Sequence, residues 1–207
     1  MATYVLAMTG ASGAPYALRL LQVLHASGHN IHLLMSYAAT RVLVEEVGLD
    51  FSADQIDVPQ LLNYNARPVP NAAANPGWVK HHTLRDFSAP VASGSARSDG
   101  MIICPCSMGT LAAVAQGMST NLIHRAADVH LKERRKLIVV PRETPLGRVH
   151  LENMLHLTDA GGIVLPAMPG FYHRPQSLDD LIDFLVNRIC DHLGLDISLT
   201  SRWGGEG

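Results

Sequence analysis

Tyr4-Val-Leu-Ala-Met8, Thr9-Gly-Ala-Ser-Gly13 and Ala14-Pro-Tyr-Ala-Leu-Arg-Leu-Leu-Gln-Val-Leu-His-Ala26 follow one another without a break near the start of the chain. The first is a short, unbroken apolar run, which reads as a strand covered on both faces. The second is a glycine-bearing turn, and the third carries apolar residues at helical spacing. The same unit returns along the chain. Apolar runs at 31–35, 101–104, 137–140 and 163–165 are each followed by a turn signal and helical periodicity. The helices so read span 14–26, 38–47, 109–116, 122–134, 148–160 and 178–193. Ser177, with Asp180 three residues on, marks the start of the last. A repeated strand–helix pattern predicts an α/β fold, a doubly wound, flavodoxin- or Rossmann-like parallel sheet with helices on both faces.

Between residues 49 and 90 the pattern fails. Pro59, Pro68, Pro70, Pro76, Asn71 and the Ala72-Ala-Ala-Asn75 run read as a loop excursion rather than a linker between domains. The 207 residues, 47% hydrophobic and 16% charged, suffice for one buried core, so a single domain is expected over 1–207.

Several function classes are set aside by composition. The net charge is −2, and the small basic cluster Lys132-Glu-Arg-Arg-Lys136 reads as a solvated helix end, so no nucleic-acid partner is expected. No apolar run approaches the roughly 18 to 20 residues that cross a bilayer, and the first residues lack a basic leader, so a cytoplasmic protein without a membrane partner is expected. Cys104, Cys106 and Cys190 are too few and too oddly spaced for a disulfide framework or a zinc site, and read as buried thiols. His150, Glu152 and His156 do not match His-Glu-x-x-His. On a helix, positions 150 and 156 lie about 240° apart, so no metal is expected.

In an open parallel sheet, ligands bind beyond the carboxyl ends of the strands. Gly10, Ala11 and Ser12 lie at such an end, where a glycine lets the backbone approach a ligand and a helix start offers N–H groups to an anion. The loop lacks the third glycine of the dinucleotide fingerprint and the lysine of the Walker loop, so a tight turn is the competing reading. Ser36 ends the second strand in the same layer. Ser107 and Thr110 open a helix after the 101–104 strand. One hydroxyl suffices for a cap, which favours ligand contact for the pair. The small, polar stretch Ala89-Pro-Val-Ala92-Ser93-Gly-Ser95 completes a nucleotide-like pocket of hydroxyls and amides. Charge comes from elsewhere. Arg125, Lys132, Arg142 and Arg188, with Tyr172, are candidates for a second anion site, against the alternative that each is a solvated surface residue. Arg125 and Lys132 are seven apart and share a helix face. Glu143, beside Arg142 at a strand end, suits a proton carrier whose pKa burial would raise.

These residues resemble the UbiX-type flavin prenyltransferases over nearly the whole chain. The resemblance is carried by Thr9-Gly-Ala-Ser-Gly13, Asp86 with Ala92-Ser-Gly-Ser95, and Ile103-Cys-Pro-Cys-Ser-Met-Gly-Thr110. Asn121-Leu-Ile-His-Arg-Ala-Ala-Asp128, Lys132-Glu-Arg-Arg135, Pro141-Arg-Glu143, His150-Leu-Glu-Asn-Met154, Pro169-Gly-Phe-Tyr172 and Arg202-Trp203 follow in order. The Pro-x-Met-Asn signature of related cysteine-decarboxylase flavoproteins is absent. Tyr37 stands where many members carry Lys, and the 63–79 stretch is longer and richer in proline than usual.

The resemblance implies a homo-oligomer, a dodecamer, that binds FMN between subunits and joins to it the dimethylallyl group of dimethylallyl phosphate. Flavin N5 attacks the allylic carbon as phosphate leaves, and a second bond closes a fourth ring. The product, prenylated FMN, serves UbiD-type decarboxylases. Gly10, Ala11, Ser12, Ser36, Ser107, Met108, Gly109, Thr110 and Arg142 take the place of the FMN contacts. Lys132, Tyr172 and Arg188, helped by Arg125, take that of the prenyl-phosphate binders, and Ala92 and Ser93 border the prenyl group. Glu143 takes the place of the acid/base residue, assisted by Ser12 and Glu46. A cationic cluster would stabilise the departing phosphate, and an apolar pocket would keep water away. An FMN-dependent decarboxylase of a small acid and a non-catalytic flavin carrier are the alternatives. Neither needs a second phosphate site, so Lys132, Tyr172 and Arg188 discriminate between them.

Overall fold

The computed structural model describes residues 1–201; Arg202 and Trp203, which help to carry the resemblance, lie outside the described residues. Six strands form one sheet: β1 (Thr3–Met8), β2 (Asn30–Met35), β3 (Val79–His82), β4 (Gly100–Cys106), β5 (Leu137–Pro141) and β6 (Ile163–Val164). Seven helices surround it: α1 (Ala14–Ala26), α2 (Tyr37–Val47), α3 (Val58–Asn63), α4 (Met108–Ala115), α5 (Leu122–Lys132), α6 (Arg148–Asp159) and α7 (Leu178–Leu193). The strands are parallel throughout, in the order β3-β2-β1-β4-β5-β6. That is the Rossmann order, whose direction of winding reverses between β1 and β4.

The apolar strands follow from burial on both faces. Along β1, Tyr4, Leu6 and Met8 enter one core with residues of α1 and α7, such as Leu20, Val23, Leu185 and Ile189. Val5 and Ala7 point the other way, into a core with Leu111 of α4, Ile123 and Ala126 of α5 and Leu157 of α6. Helices α5 and α7 therefore cover opposite faces of the sheet. The three cysteines are free and buried, and burial pushes the thiols of Cys104 and Cys106 upward, away from thiolate chemistry. At the last helix, the Ser177 hydroxyl accepts from Asp180 N–H, and the Asp180 carboxylate accepts from Ser177 N–H, a reciprocal cap.

The expected loop from 49 to 90 is corrected in two places. Residues 58–63 form α3, because Pro59 sits in the first turn, where its missing N–H costs nothing, and the Asp57 carboxylate accepts from Gln60 N–H. Residues 79–82 form β3, an edge strand paired with β2 alone, so its Val-Lys-His-His sequence need not be apolar.

At this edge, His32 Nδ1 and His82 Nε2 lie 2.8 Å apart, a bond in which one ring donates and the other accepts. Burial, reinforced by His82 and Lys80, pushes His32 down to about 4, and burial also lowers His82 against the pull of Asp86. The unfolded chain, with ordinary histidines near 6.5, binds more protons than the folded one below that pH. The stability this pair contributes is therefore complete above about pH 6.5 and is lost as pH falls toward 4. Urea midpoints measured from pH 7 to 4.5 should show a decline, and His32→Gln should make it shallower.

Candidate functional site at the winding reversal

The reversal brings the loops after β1 and β4 side by side, and Thr9 ties them together. Its buried hydroxyl donates to Pro105 O (2.9 Å) and accepts from Ser107 N–H (2.7 Å), while its own N–H donates to Pro105 O (3.1 Å). Thr9 is absent from the candidates read from the sequence. Its signal was there as the first polar residue after the β1 apolar run. Thr9→Val keeps the shape but leaves Ser107 N–H without this partner, so unfolding free energy should drop by about 1 to 3 kcal/mol in urea titrations.

The candidate flavin contacts gather here, on the starts of three helices. The Ser36 hydroxyl accepts from Ala39 N–H (3.1 Å) at the start of α2, and the Ser107 hydroxyl accepts from Thr110 N–H (3.3 Å) at the start of α4. Ser107 also donates to the Thr110 hydroxyl (3.1 Å), so the pair read as ligand contacts supplies the cap itself. Neither helix has an acidic residue in its first turn. Gly109 is exposed with open space where a Cβ would stand, and a side chain at Gly10 would run into Ala38 of α2. Ala11 and Met108 are buried beneath these loops.

The third helix start differs from expectation. Where α1 was read as offering free N–H groups to a ligand anion, the Glu46 carboxylate already accepts from Gly13 N–H (3.0 Å) and Ala14 N–H (2.8 Å). Glu46, expected to assist proton transfer, thus caps α1 in this chain. Ser12 and Glu46 line one groove with Tyr16, Leu178, Leu181 and Ile182, whose walls are largely apolar.

Pro141 pairs in register with Cys106, so Arg142 and Glu143 leave β5 next to Ser107. Both are exposed, and the Glu143 carboxylate accepts from Thr144 N–H (3.0 Å). The burial expected for Glu143 is not supplied by this chain, because β5 ends at Pro141 and the next residues run along the surface.

The cation set falls into two halves. Tyr172 and Arg188 line one cavity with Phe184, Asn187 and Asp191; Arg188 is paired with Asp191 (2.9 Å), and the Tyr172 ring meets Phe184 edge-on. The described residues lining that cavity do not include Lys132. Lys132, at the end of α5, is paired with Glu133, and both abut Gly94. Arg125 donates from Nε to Ala92 O (2.9 Å) and is paired with Asp128 (2.8 Å), which places it beside Ala92 and Ser93. Two groups result: Arg125, Lys132, Ala92 and Ser93 on the α5 face, and Tyr172 with Arg188 on the α7 face. Among the described residues, no cluster of three or more His, Cys, Asp or Glu could hold a metal ion, and no helix is long and apolar enough to cross a membrane.

The Flavoprotein family model matches residues 2–190. Over 203 residues the chain is 48% identical to the flavin prenyltransferase UbiX of Halalkalibacterium halodurans, covering 98% of this chain and 94% of that protein. The chain belongs to the UbiX family of flavin prenyltransferases. Among solved UbiX-like structures, AnUbiX (PadA1) in complex with FMN and dimethylallyl pyrophosphate superposes with a TM-score of 0.85. It is 41% identical, over 100% of this chain and 99% of that one. A dodecameric FMN-dependent UbiX-like decarboxylase from Escherichia coli O157:H7 gives 0.82 at 39% identity, over 98% of this chain and 100% of that one. The UbiX fold, the Rossmann strand order and the hydroxyl-lined winding reversal therefore occur together in this chain.

Proposed function

We propose that this protein transfers the dimethylallyl group of dimethylallyl phosphate to reduced FMN, and that residues 1–207 act as one flavoprotein unit. One observation carries the reading. The hydroxyl- and amide-lined reversal is accompanied by a separate arginine–tyrosine cavity, so there is a place for each of two phosphate-bearing substrates. The residues present suit FMN. The starts of α2 and α4 offer hydroxyls and N–H groups without a resident carboxylate, Gly109 leaves room, and Arg142 stands at the adjoining strand end. Bound reduced FMN supplies the nucleophile. Arg188, Tyr172 and Lys132 hold the prenyl phosphate and stabilise charge as it departs. Ala92 and Ser93 border the allyl chain, and Glu143 moves the proton.

Assembly completes the site in this reading. Arg188 on α7 and Lys132 on α5 lie on opposite faces of one sheet, so a single phosphate can meet both only if a second copy brings one of them. Exposed Val149, Leu151 and Leu155 on α6 and Met168 and Phe171 after β6 supply apolar surface for such contacts. A dodecamer in the cytoplasm, handing prenylated FMN to a UbiD-type decarboxylase, fits this arrangement. The name of the Escherichia coli relative keeps decarboxylation of a small acid as the second reading. Incubation with reduced FMN and dimethylallyl phosphate separates them. The flavin should gain the mass of one five-carbon unit; unchanged flavin together with carbon dioxide released from a carboxylic acid would move the assignment to the decarboxylase.

A further inference from the structure

Residues 92–98 alternate. Ala92, Gly94, Ala96 and Ser98 are half-buried, while Ser93, Ser95 and Arg97 are exposed. Every inward residue is held by a side chain from α5 or the turn that ends it. Arg125 Nε donates to Ala92 O (2.9 Å), Arg135 donates to Gly94 O (2.6 Å) and Ala96 O (2.7 Å), and the Ser98 hydroxyl bonds His130 Nε2 (2.9 Å). The segment's own bonds are short-range, such as Ser93 N–H to Pro90 O and Ala96 N–H to Ser93 O.

The chemistry at His130 fixes its tautomer. Nδ1 faces the Ala126 carbonyl at 2.7 Å, and a carbonyl accepts only, so Nδ1 carries the proton and Nε2 accepts from Ser98. His130 is wholly buried, and burial, with Arg135 nearby, favours the neutral ring against the pull of the Ala126 bond. The aim of Arg135 is set by the helix end. Arg134 N–H donates to Leu131 O (3.1 Å) and Arg135 N–H to His130 O (2.8 Å), a Schellman closure with Arg134 at φ 56°. A non-glycine residue in this left-handed region is strained, and such strain gathers where geometry serves function.

We propose that Arg135 and His130 are positioning residues for the prenyl donor. By gripping Gly94, Ala96 and Ser98, they anchor the stretch that follows the wall residues Ala92 and Ser93, which Arg125 holds at the other end, and seat Gly94 against Lys132. A Cβ at Gly94 would have to push aside the ends of the Glu133 and Lys132 side chains, so the glycine lets both lie against the segment. A looser wall would misplace the donor and admit longer chains. The proposal rests on the prenyltransferase reading above.

Steady-state kinetics with dimethylallyl phosphate, FMN titration and turnover of a ten-carbon allylic phosphate test it on the intact protein. Arg135→Met should raise KM for the five-carbon donor about tenfold or more and raise relative turnover of the ten-carbon donor by a similar factor. FMN affinity should stay within about twofold, since the flavin contacts lie on other loops. Arg135→Lys should recover part of the loss. Ser98→Ala, which removes one hydroxyl and little packing, should shift KM in the same direction by a smaller factor, and decides the matter if Arg135→Met does not fold. An unchanged donor KM and chain-length preference in folded variants overturns the positioning role alone, as does an equal fall in flavin and donor affinity. A wild-type protein that does not prenylate reduced FMN removes the activity reading, and this proposal with it.

Discussion

Glu143→Gln should lower prenyl-transfer turnover by roughly a hundredfold to ten-thousandfold, the range that a placed proton carrier contributes. The substitution keeps the side chain's size, and its amide oxygen can still accept from Thr144 N–H, the bond that orients the carboxylate now. What is lost is the capacity to take and return a proton. FMN affinity should change little, because the neutral donors at Ser36, Ser107 and Gly109 are untouched. Single-turnover rates with saturating donor measure the effect directly. Wild-type rates in the variant would take Glu143 out of the proton path. Exposure of Glu143 within one chain sharpens the expectation: if a neighbouring copy covers it, the pH profile of turnover should differ between assembled and dissociated protein.

Arg188→Ala should weaken dimethylallyl phosphate binding about ten- to a hundredfold, the equivalent of roughly 1.5 to 3 kcal/mol for a charge-assisted bond to phosphate. Arg188 also pairs with Asp191 in the same cavity, so its removal takes both a phosphate donor and one cationic partner of that carboxylate away. Isothermal titration with the donor and, separately, with FMN distinguishes the two sites. Loss of FMN binding with donor affinity intact would mean that the Arg188 cavity serves the flavin phosphate instead.

The elements that could be read from sequence are those whose pattern is local. The β5 run is apolar at every position because both of its faces are covered, and α7 announces itself through Ser177 and Asp180, which cap each other as read. The bounds read for α1 and α7 coincide with those observed. Three features were hidden: two depend on contacts between distant residues, and one, though local, was masked by its proline. β3 is polar because an edge strand needs one partner, and nothing within Val79-Lys-His-His82 reveals that partner. Pro59 reads as a breaker until its place in a first turn is known. Glu46 meets the start of α1 from 33 positions away, so its capping role could not be inferred from the Gly13 loop. The strand ends that carry the candidate residues after β1, β4 and β5 lie side by side, because parallel register alone brings them together. Lys132 and Arg188, expected to converge only across a subunit boundary, lie on opposite faces within one chain, because which sheet face each helix covers is a property of the winding.

The proline-rich excursion has a practical consequence for anyone wishing to modify this protein. Its middle part lies against the opposite rim of the sheet from the loops after β1 and β4: Ala73 N–H bonds Ala26 O, Gly77 N–H bonds His25 O, and Trp78 O receives Ile31 N–H where β2 begins. Residues 71–76 are exposed throughout and lead into an edge strand, with two strands between it and the reversal. Loop length is thermodynamically cheap, since each doubling costs only about 0.6 kcal/mol. Within one chain the 71–76 segment is thus a natural port for a peptide tag or a fluorophore-bearing insert, placed at the opposite rim from the winding reversal.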